Sequence, residues 1–547
     1  MERFIIFLNR NKDFGLAILT GLLLFFSWPP DGFSFLVFVA FVPLFFIEDA
    51  FFRNVNAKPS YFFFIYLFIA FAIWNVLSTY WIINSAVIAF IVAIILNSLL
   101  MAIPWLLMNN FRKILPGKTG PFMIIFLWIS FEFLHLNWEL SWPWLNLGNV
   151  FATKTNWVQW YEFTGTLGGT AWVLIVNLLF FYTLKTLIYR KTKFKILTFN
   201  VIALVLIIII PIFLSFHIGN NYEEPNDPLE VVIVQPGHDP YKQVSSNAEA
   251  IKRVNLMKSL AAEKLSPHTK FVVSPETSVP TTILLNHPEN NPAVIILRIF
   301  SQQNNDLAWL AGSFASRIYY TDKRPVSTAR KVKGKEEFYN LYNSAVFIQS
   351  EEPLQFNHKT KLVPGIERMP FYSLTKFLDP LIKKLGGIAG SFGLQKYRHV
   401  FVSKDSIAIG SLICYESVFG EFTSKYVKNG ASVLFILTND GWWGDTYGYK
   451  QHFHYARLRA IETRRSIARA ASTGISGFID QKGNVIKQTD FNEAIAIKDS
   501  INKNYKITFY TFSGDYIGRF SAFISALLVL YVITQYIIRR KNRARRL

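Results

Sequence analysis

Apolar residues run along this chain in two regimes. Up to about residue 217 they form blocks near the ~20 residues a helix needs to cross a bilayer, separated by short polar or proline-rich links. The pattern predicts seven spans, at about 13–29, 34–50, 60–78, 84–108, 120–136, 167–188 and 196–217, with Trp28-Pro29-Pro30-Asp31-Gly32 interrupting the first two. An eighth span, at about 516–538, precedes a basic tail of Arg539, Arg540, Lys541, Arg543, Arg545 and Arg546. Between 218 and 515 the apolar runs shrink to strand length: Val231–Val234, Phe271–Val273, Leu307–Ala311, Ala345–Ile348, Ile407–Cys414 and Val433–Thr438, each bounded by Gly, Pro, Asn or Asp. Helical patterns lie between some of them, clearest at about 246–264 and 450–465. This alternation predicts an α/β domain with buried sheets. The expected organisation is a seven-span membrane domain over 1–217, an α/β domain over 218–515, and a last transmembrane helix with its tail over 516–547. The glycine-rich, partly apolar stretch between Lys383 and Gln395 has the make-up of a mobile lid.

Basic residues orient these spans. Arg3, Arg10 and Lys12 mark the N-terminus as cytoplasmic, Arg112, Lys113 and Lys118 mark the loop after the fourth span, and Lys185, Arg190, Lys191, Lys193 and Lys195 the loop after the sixth. Seven spans then deliver 218–515 to the outer side, and the eighth returns the basic tail to the cytoplasm. Composition agrees: 51% of residues are hydrophobic, 52 of 547 are Phe, and 17% are charged, against about 25% charged in a typical soluble protein. The net charge of +21 invites a nucleic-acid reading. Its concentration beside apolar runs suits anionic headgroups instead, and no nucleic-acid motif accompanies it. One cysteine excludes an internal disulfide and a thiolate metal cluster.

Three polar residues stand at the ends of apolar strands, where α/β folds gather reactive groups. Glu276 follows Phe271-Val272-Val273, Lys359 precedes Leu362-Val363-Pro364, and Cys414 ends Ile407–Ile413. A thiol near pKa 8.5 is only a few per cent ionised at neutral pH. A carboxylate that takes its proton contributes on the order of 10²–10⁴-fold, and an ammonium stabilises the thiolate and a later oxyanion. Each residue taken alone has a plainer explanation: Cys414 as a small buried hydrophobe, Glu276 as a turn residue, Lys359 as part of a solvated basic patch with His358 and Lys361. His452 and His454, two apart on a helix, diverge and lack a third ligand, so no metal is expected. Trp138, Trp142, Trp144, Trp157 and Trp160 crowd one loop and read as an interfacial aromatic belt, or as a lipid contact beside the active site.

The segments around these residues are Ser274-Pro275-Glu276-Thr277, His358-Lys359-Thr360-Lys361-Leu362-Val363-Pro364, Ile413-Cys414-Tyr415-Glu416 and Thr438-Asn439-Asp440-Gly441-Trp442-Trp443-Gly444, followed by Gln451-His452, Ala456–Glu462 and Thr473-Gly474-Ile475-Ser476. Together they resemble the carbon–nitrogen hydrolase (nitrilase) superfamily. With the spans they closely resemble the apolipoprotein N-acyltransferase family, over essentially the whole chain. The resemblance implies a four-layer αββα sandwich beside eight spans. It implies Glu276 as general base, Lys359 as oxyanion and thiolate stabiliser and Cys414 as nucleophile, with Glu367 as a supporting carboxylate and Tyr415 and Glu416 shaping the pocket. Two features depart from the family: Pro364-Gly365-Ile366-Glu367 shifts the glycine of the usual turn, and Asn357 stands where an aromatic residue is usual.

The activity so implied is transfer of a fatty acyl chain from a phospholipid to the N-terminal amine of a diacylglyceryl-cysteine apolipoprotein, through a cysteine thioester and without a cofactor. The implied location is the cell inner membrane, with the catalytic domain periplasmic and both termini cytoplasmic. Two alternatives stand beside it: a membrane-bound amidase in which water resolves the thioester, and an inert lipid-binding scaffold.

Overall fold

The computed structural model describes residues 12–53, 59–115, 120–189, 194–242, 244, 246–375 and 391–544. They form two compact units, one of Met1–Trp138, Trp142–Asn221 and Asp515–Leu547, the other of Glu139–Ser141 and Tyr222–Gly514. Of the positions used above for orientation, Arg3, Arg10, Lys118, Arg190, Lys191, Lys193, Arg545 and Arg546 lie outside the described residues.

The first unit is helical: α1 (Lys12–Ser27), α2 (Val42–Phe52), α3 (Tyr61–Thr79), α4 (Val87–Ile114), α5 (Met123–Leu136), α6 (Tyr161–Tyr189) and α7 (Phe194–Asn221), with the late helix Tyr516–Ala544. Among the described residues, six helical segments are long and apolar enough to cross a membrane, one of them Ser34–Phe52, in which a short 3-10 turn at Ser34–Phe38 leads into α2. The expected first and fifth spans emerge as helices of 16 and 14 residues, short of that length. Helix α6 begins before the expected 167 because a turn from Tyr161 joins it across Gly165, whose φ of 61° only glycine adopts readily.

Two buried carboxylates of this unit meet basic partners. Asp49 meets Lys185 at 2.8 Å and Arg112 at 3.4 Å, and Arg112 also pairs with the fully buried Glu48. Two basic residues assigned to one side of the bilayer thus reach the same carboxylate. Glu132, at the C-terminal part of α5, accepts the Trp128 ring N–H (2.9 Å), the Leu147 N–H (2.8 Å) and the Thr170 hydroxyl (2.6 Å), which ties down the tryptophan-rich loop. Trp144 of that loop is buried against Trp81 and Trp142. It is a packing residue, not part of a lipid-facing belt, because Glu132 draws the loop inward.

The second unit is built on two sheets. The first has strand order β14-β1-β2-β4-β6-β5, with β3 on β4 and β7 on β6; the second has order β13-β12-β11-β10-β9-β8. The strands are β1 (Pro228–Gln235), β2 (Thr269–Val273), β3 (Val279–Leu284), β4 (Ala308–Tyr319), β5 (Arg330–Lys331), β6 (Phe338–Ile348), β7 (Gln355–His358), β8 (Val400–Val402), β9 (Ala408–Ile413), β10 (Val433–Thr438), β11 (Ile467–Ala471), β12 (Gly477–Ile479), β13 (Val485–Gln488) and β14 (Ile495–Asn502). The runs Val231–Val234, Phe271–Val273 and Val433–Leu437 are apolar at every position because both faces are covered. Val232, Val234, Val272, Trp309, Ala311, Val346 and Ile348 share a cluster with Val254, Met257, Leu297 and Phe300 from the helices Asn247–Ala262 and Pro292–Gln303. The alternate residues face the other sheet: Phe271 packs on Phe435 and Phe347 on Phe401, with ring centroids 5.6 and 5.4 Å apart. Full burial of each such ring stabilises by about 1.5–3 kcal/mol. On the far side of the second sheet, Tyr426 from helix Gly420–Lys428 lies over Gly410 of β9. The layers run helix, sheet, sheet, helix.

Asn357, which replaces the usual aromatic residue, donates to Ser411 O (3.1 Å) and to the Tyr426 hydroxyl (2.8 Å), stitching β7 of one sheet to β9 of the other. Of the expected lid, 383–390 lies outside the described residues. Its last part is pinned: Phe392 is buried, and Gln395 accepts the His358 N–H at 2.7 Å.

Candidate active site

Strands β9, β10 and β11 are mutually parallel and end at one edge of their sheet. Cys414 directly follows β9, Asn439 and Asp440 follow β10, and Ser472 and Thr473 follow β11. In the other sheet Glu276 lies in the turn after β2, and Lys359 follows β7, its N–H donating to Asn343 O of β6 at 2.7 Å. Gly312 of β4 lets the Glu276 turn approach. A Cβ there would stand 2.5 Å from both Pro275 O and Glu276 Cα, and the Gly312 N–H donates to Pro275 O at 3.0 Å.

Four groups interlock at this place. Lys359 Nζ donates to Glu276 Oε1 (3.0 Å) and Glu367 Oε1 (2.9 Å). Asn343 Nδ2 donates to the same two oxygens, at 2.7 and 2.9 Å. The remaining oxygens take backbone donors: Glu276 Oε2 accepts the Asn439 N–H (3.2 Å) and Glu367 Oε2 the Val363 N–H (2.8 Å). Glu276, Lys359, Glu367 and Cys414 are each at most 8% exposed. Burial of this depth is tolerable because every charge has an opposite or a donor in contact. The departure at Pro364-Gly365-Ile366-Glu367 is absorbed locally, since the Glu367 carboxylate still reaches Lys359.

Cys414 is held at φ +51°, the left-handed region that costs a non-glycine residue about 1–3 kcal/mol. Glu416 secures that turn. Its fully buried carboxylate accepts the N–H groups of Ile413 (3.0 Å), Thr360 (2.7 Å) and Lys361 (3.2 Å), tying the cysteine turn to the lysine loop. The Tyr415 hydroxyl donates to Ser141 O at 2.6 Å.

Electrostatics keep the resting thiol protonated. Burial pushes the Cys414 thiol far above its ordinary range and the Glu276 charge adds to this, while Lys359 opposes it. For Lys359, burial alone would favour the neutral amine, but Glu276, Glu367 and Cys414 outweigh it and hold the ammonium well above its usual pKa. Burial raises the Glu416 carboxyl against the pull of its three N–H donors and of Lys359.

A second network lies behind the cysteine. Asp440 Oδ2 accepts Arg469 Nη2 at 2.6 Å, and Asp440 Oδ1 stands 2.9 Å from His452 Nδ1; all three side chains are fully buried. Burial works to raise Asp440, yet Arg469 and His452 hold its carboxyl below the usual range. Cys414, Asp440 and His452 offer donor atoms within 4.8 Å of one another. The set does not fit a metal cation, because the Arg469 guanidinium already occupies the acidic partner and Asp440 already faces His452 Nδ1. His454 makes no part of it; burial lowers its imidazole to about 3.

The six residues singled out from the sequence therefore gather around one buried place. Asn343, Asp440, His452 and Arg469 join them, and sequence reasoning gave none of these four a role. For Asn343 a signal existed: it shares the strand face of Ala345 and Phe347, which points between the sheets.

An α/β sandwich with a lysine between two carboxylates near a cysteine at a strand end, on a chain rich in apolar helices, defines a membrane-borne member of the carbon–nitrogen hydrolases. A carbon-nitrogen hydrolase model matches residues 233–501, and a model of the apolipoprotein N-acyltransferase N-terminal domain matches residues 20–179. The chain is 28% identical to the apolipoprotein N-acyltransferase of Chlorobaculum tepidum, over 95% of this chain and 96% of that one. It is 24% identical to that of Geobacter metallireducens, over 92% of each. Among solved structures, the carbon-nitrogen hydrolase from Helicobacter pylori G27 aligns with 50% of this chain and 89% of its own, at TM-score 0.35 and 12% identity. The chain belongs to the apolipoprotein N-acyltransferase family, and it is an acyltransferase.

Proposed function

We propose that this chain transfers a fatty acyl chain from a phospholipid to the N-terminal amine of a diacylglyceryl-cysteine apolipoprotein, through a thioester on Cys414. The observation that carries this reading is the lysine bridge: one buried ammonium, 3.0 and 2.9 Å from two carboxylates, beside the single cysteine. In the first stage Glu276 takes the thiol proton. That transfer removes the negative charge opposing the thiolate and leaves Lys359 in place, so one proton movement reverses the balance that keeps the thiol neutral at rest. The sulfur attacks the ester carbonyl. The oxyanion is met by the third Lys359 ammonium proton and by the backbone N–H after Cys414. Collapse breaks the ester C–O bond, Glu276 returns its proton to the departing alkoxide, and lysophospholipid leaves.

In the second stage the acceptor amine attacks the thioester. An α-amine titrates near about 7.7–8.0, so a useful fraction is neutral at ambient pH. Glu276 removes its proton, the C–S bond breaks, the thiolate recovers the proton, and an amide is released. Glu367 holds Lys359, while Tyr415 and Glu416 hold the cysteine turn. Both substrates are lipids, which accounts for a hydrolase-type domain carried on apolar helices. We place the chain in the inner membrane with eight spans, the shorter helices at 12–27 and 123–136 included, the α/β domain periplasmic and both termini cytoplasmic.

The test is mass spectrometry of the purified protein after exposure to phospholipid, followed by a diacylated lipopeptide. An acyl adduct on Cys414 that disappears as N-acyl peptide forms is the expected result. Free fatty acid without N-acyl peptide would instead establish a hydrolase. Full turnover by Cys414→Ser would remove the nucleophile assignment, and absence of any adduct or turnover would leave a lipid-binding scaffold. Reporter fusions at both termini and at residue 330 test the topology.

A further inference from the structure

The histidine behind the nucleophile has no part in the proton movements above, yet it touches the peptide that the chemistry depends on. His452 lies on helix Tyr447–Thr463 with its ring fully buried. Its Nε2 is 3.2 Å from Cys414 O and 3.0 Å from Ser417 Oγ, and the Ser417 hydroxyl donates to Cys414 O at 2.7 Å. A carbonyl oxygen can only accept, so the ring nitrogen facing it acts as a donor. The other ring nitrogen is set against Asp440 Oδ1 (2.9 Å) and Arg469 Nη2 (3.1 Å). The Trp443 ring packs on the imidazole, with centroids 5.6 Å apart and planes at 71°. The imidazole is thereby fixed from both ends.

Two donors thus converge on the carbonyl of the peptide joining Cys414 to Tyr415. That peptide is planar and trans, so its C=O and N–H point in opposite directions. Anchoring the oxygen fixes the direction of the Tyr415 N–H, the backbone donor that follows the nucleophile. The anchor matters here because Cys414 at φ +51° is in a region a non-glycine residue leaves readily unless its surroundings hold it.

We propose that His452 is a positioning residue: its Nε2–H, with the Ser417 hydroxyl, pins the Cys414 carbonyl and so aims the Tyr415 N–H at the oxyanion formed when Cys414 is acylated. The proposal rests on Cys414 being the acylated nucleophile. Asp440 and Arg469 serve it by setting the ring, and no proton of the reaction passes through it.

The test uses the full-length protein in detergent and compares wild type with His452→Ala and His452→Gln in two reactions of Cys414. Acylation by a phospholipid or by p-nitrophenyl butyrate passes through an oxyanion; alkylation by iodoacetamide does not. His452→Ala is expected to slow acylation about 10- to 100-fold, through kcat and not KM, while alkylation stays within about threefold. His452→Gln, whose amide N–H reaches the same carbonyl, is expected to recover most of the lost rate. Wild-type acylation in His452→Ala, an equal loss of acylation and alkylation, or no recovery in His452→Gln would each overturn the proposal. The activated ester separates the two failures. If it acylates wild type where phospholipid does not, the donor assignment fails while the comparison of variants still decides the role of His452.

Discussion

Gly312→Ala adds one methyl group to a strand, away from every reacting atom, and the structure sets what it costs. The new Cβ would lie 2.5 Å from Pro275 O and Glu276 Cα and 2.6 Å from Thr277 N, where ordinary contact begins at 3.4 Å. The difference between 3.4 and 2.5 Å is about 0.9 Å of forced separation, and it falls on backbone atoms that no rotamer change can move aside. Overpacking of this kind costs about 1–3 kcal/mol. Loss of the Gly312 N–H bond to Pro275 O adds about 0.5–1.5 kcal/mol, so destabilisation of about 1.5–4.5 kcal/mol is expected. A similar shift of Glu276 would stretch its 2.7 Å bond from Asn343 to about 3.6 Å, beyond hydrogen-bond range. Misplacing a catalytic group by about 1 Å costs on the order of 10²-fold. Single-turnover acylation of Cys414, with a thermal melt of the same preparation, reads both quantities. Gly15→Ala, which adds a methyl where nothing lies within 4 Å, is the control. Folded Gly312→Ala acylating within threefold of wild type would refute the claim that this glycine sets the position of Glu276.

Other expectations follow from the same contacts. Because burial and Glu276 both push the Cys414 thiol up, iodoacetamide labelling should quicken steadily from pH 6 to 9; a plateau below pH 7 would mean a resting thiolate. Asn343→Leu removes both amide donors between Glu276 and Glu367, and acylation should fall at least about 10-fold while Cys414 remains alkylatable. Arg469→Met leaves Asp440 buried without its guanidinium, and breaking such a pair costs about 3–5 kcal/mol, read as a lowered melting temperature. Asp440 has a folded pKa below its unfolded value, so its contribution is present above the unfolded pKa near about 3.9. It is lost as pH falls through the folded value. Melts of wild type from pH 7 to 5 should therefore show no loss traceable to this pair, and the stability gap between wild type and Asp440→Asn should stay constant above about pH 4 and narrow below it.

How much of this was legible in the chain depends on which face of an element a residue occupies. Strand-length apolar runs placed β1, β2, β9 and β10 closely, because a strand covered on both faces tends to a near-continuous apolar run. β11 escaped notice, since Ile467-Ala468-Arg469-Ala470-Ala471 carries a cation at its centre and does not look buried. Arg469 is nonetheless fully buried, because Asp440 from the neighbouring strand end neutralises it. Asn343 was overlooked for a related reason: an amide near one end of an apolar run reads as its solvent-facing limit until the second sheet is known to cover it. The helices at 12–27 and 123–136 show the converse, since apolar composition announced them while their lengths fell short of a full span.

By itself, the order of residues determined the two regimes of the chain, the strands that end in Glu276 and Cys414, and the loop that carries Lys359, because local periodicity and strand-end chemistry depend on near neighbours. Only the tertiary structure decided that Lys359 sits between two carboxylates 83 and 8 positions away in sequence, and that His452, 38 positions from Cys414, faces its carbonyl. Contacts of that kind arise where separate sheets and helices meet, and the geometry of the meeting is set by the packing of their apolar faces.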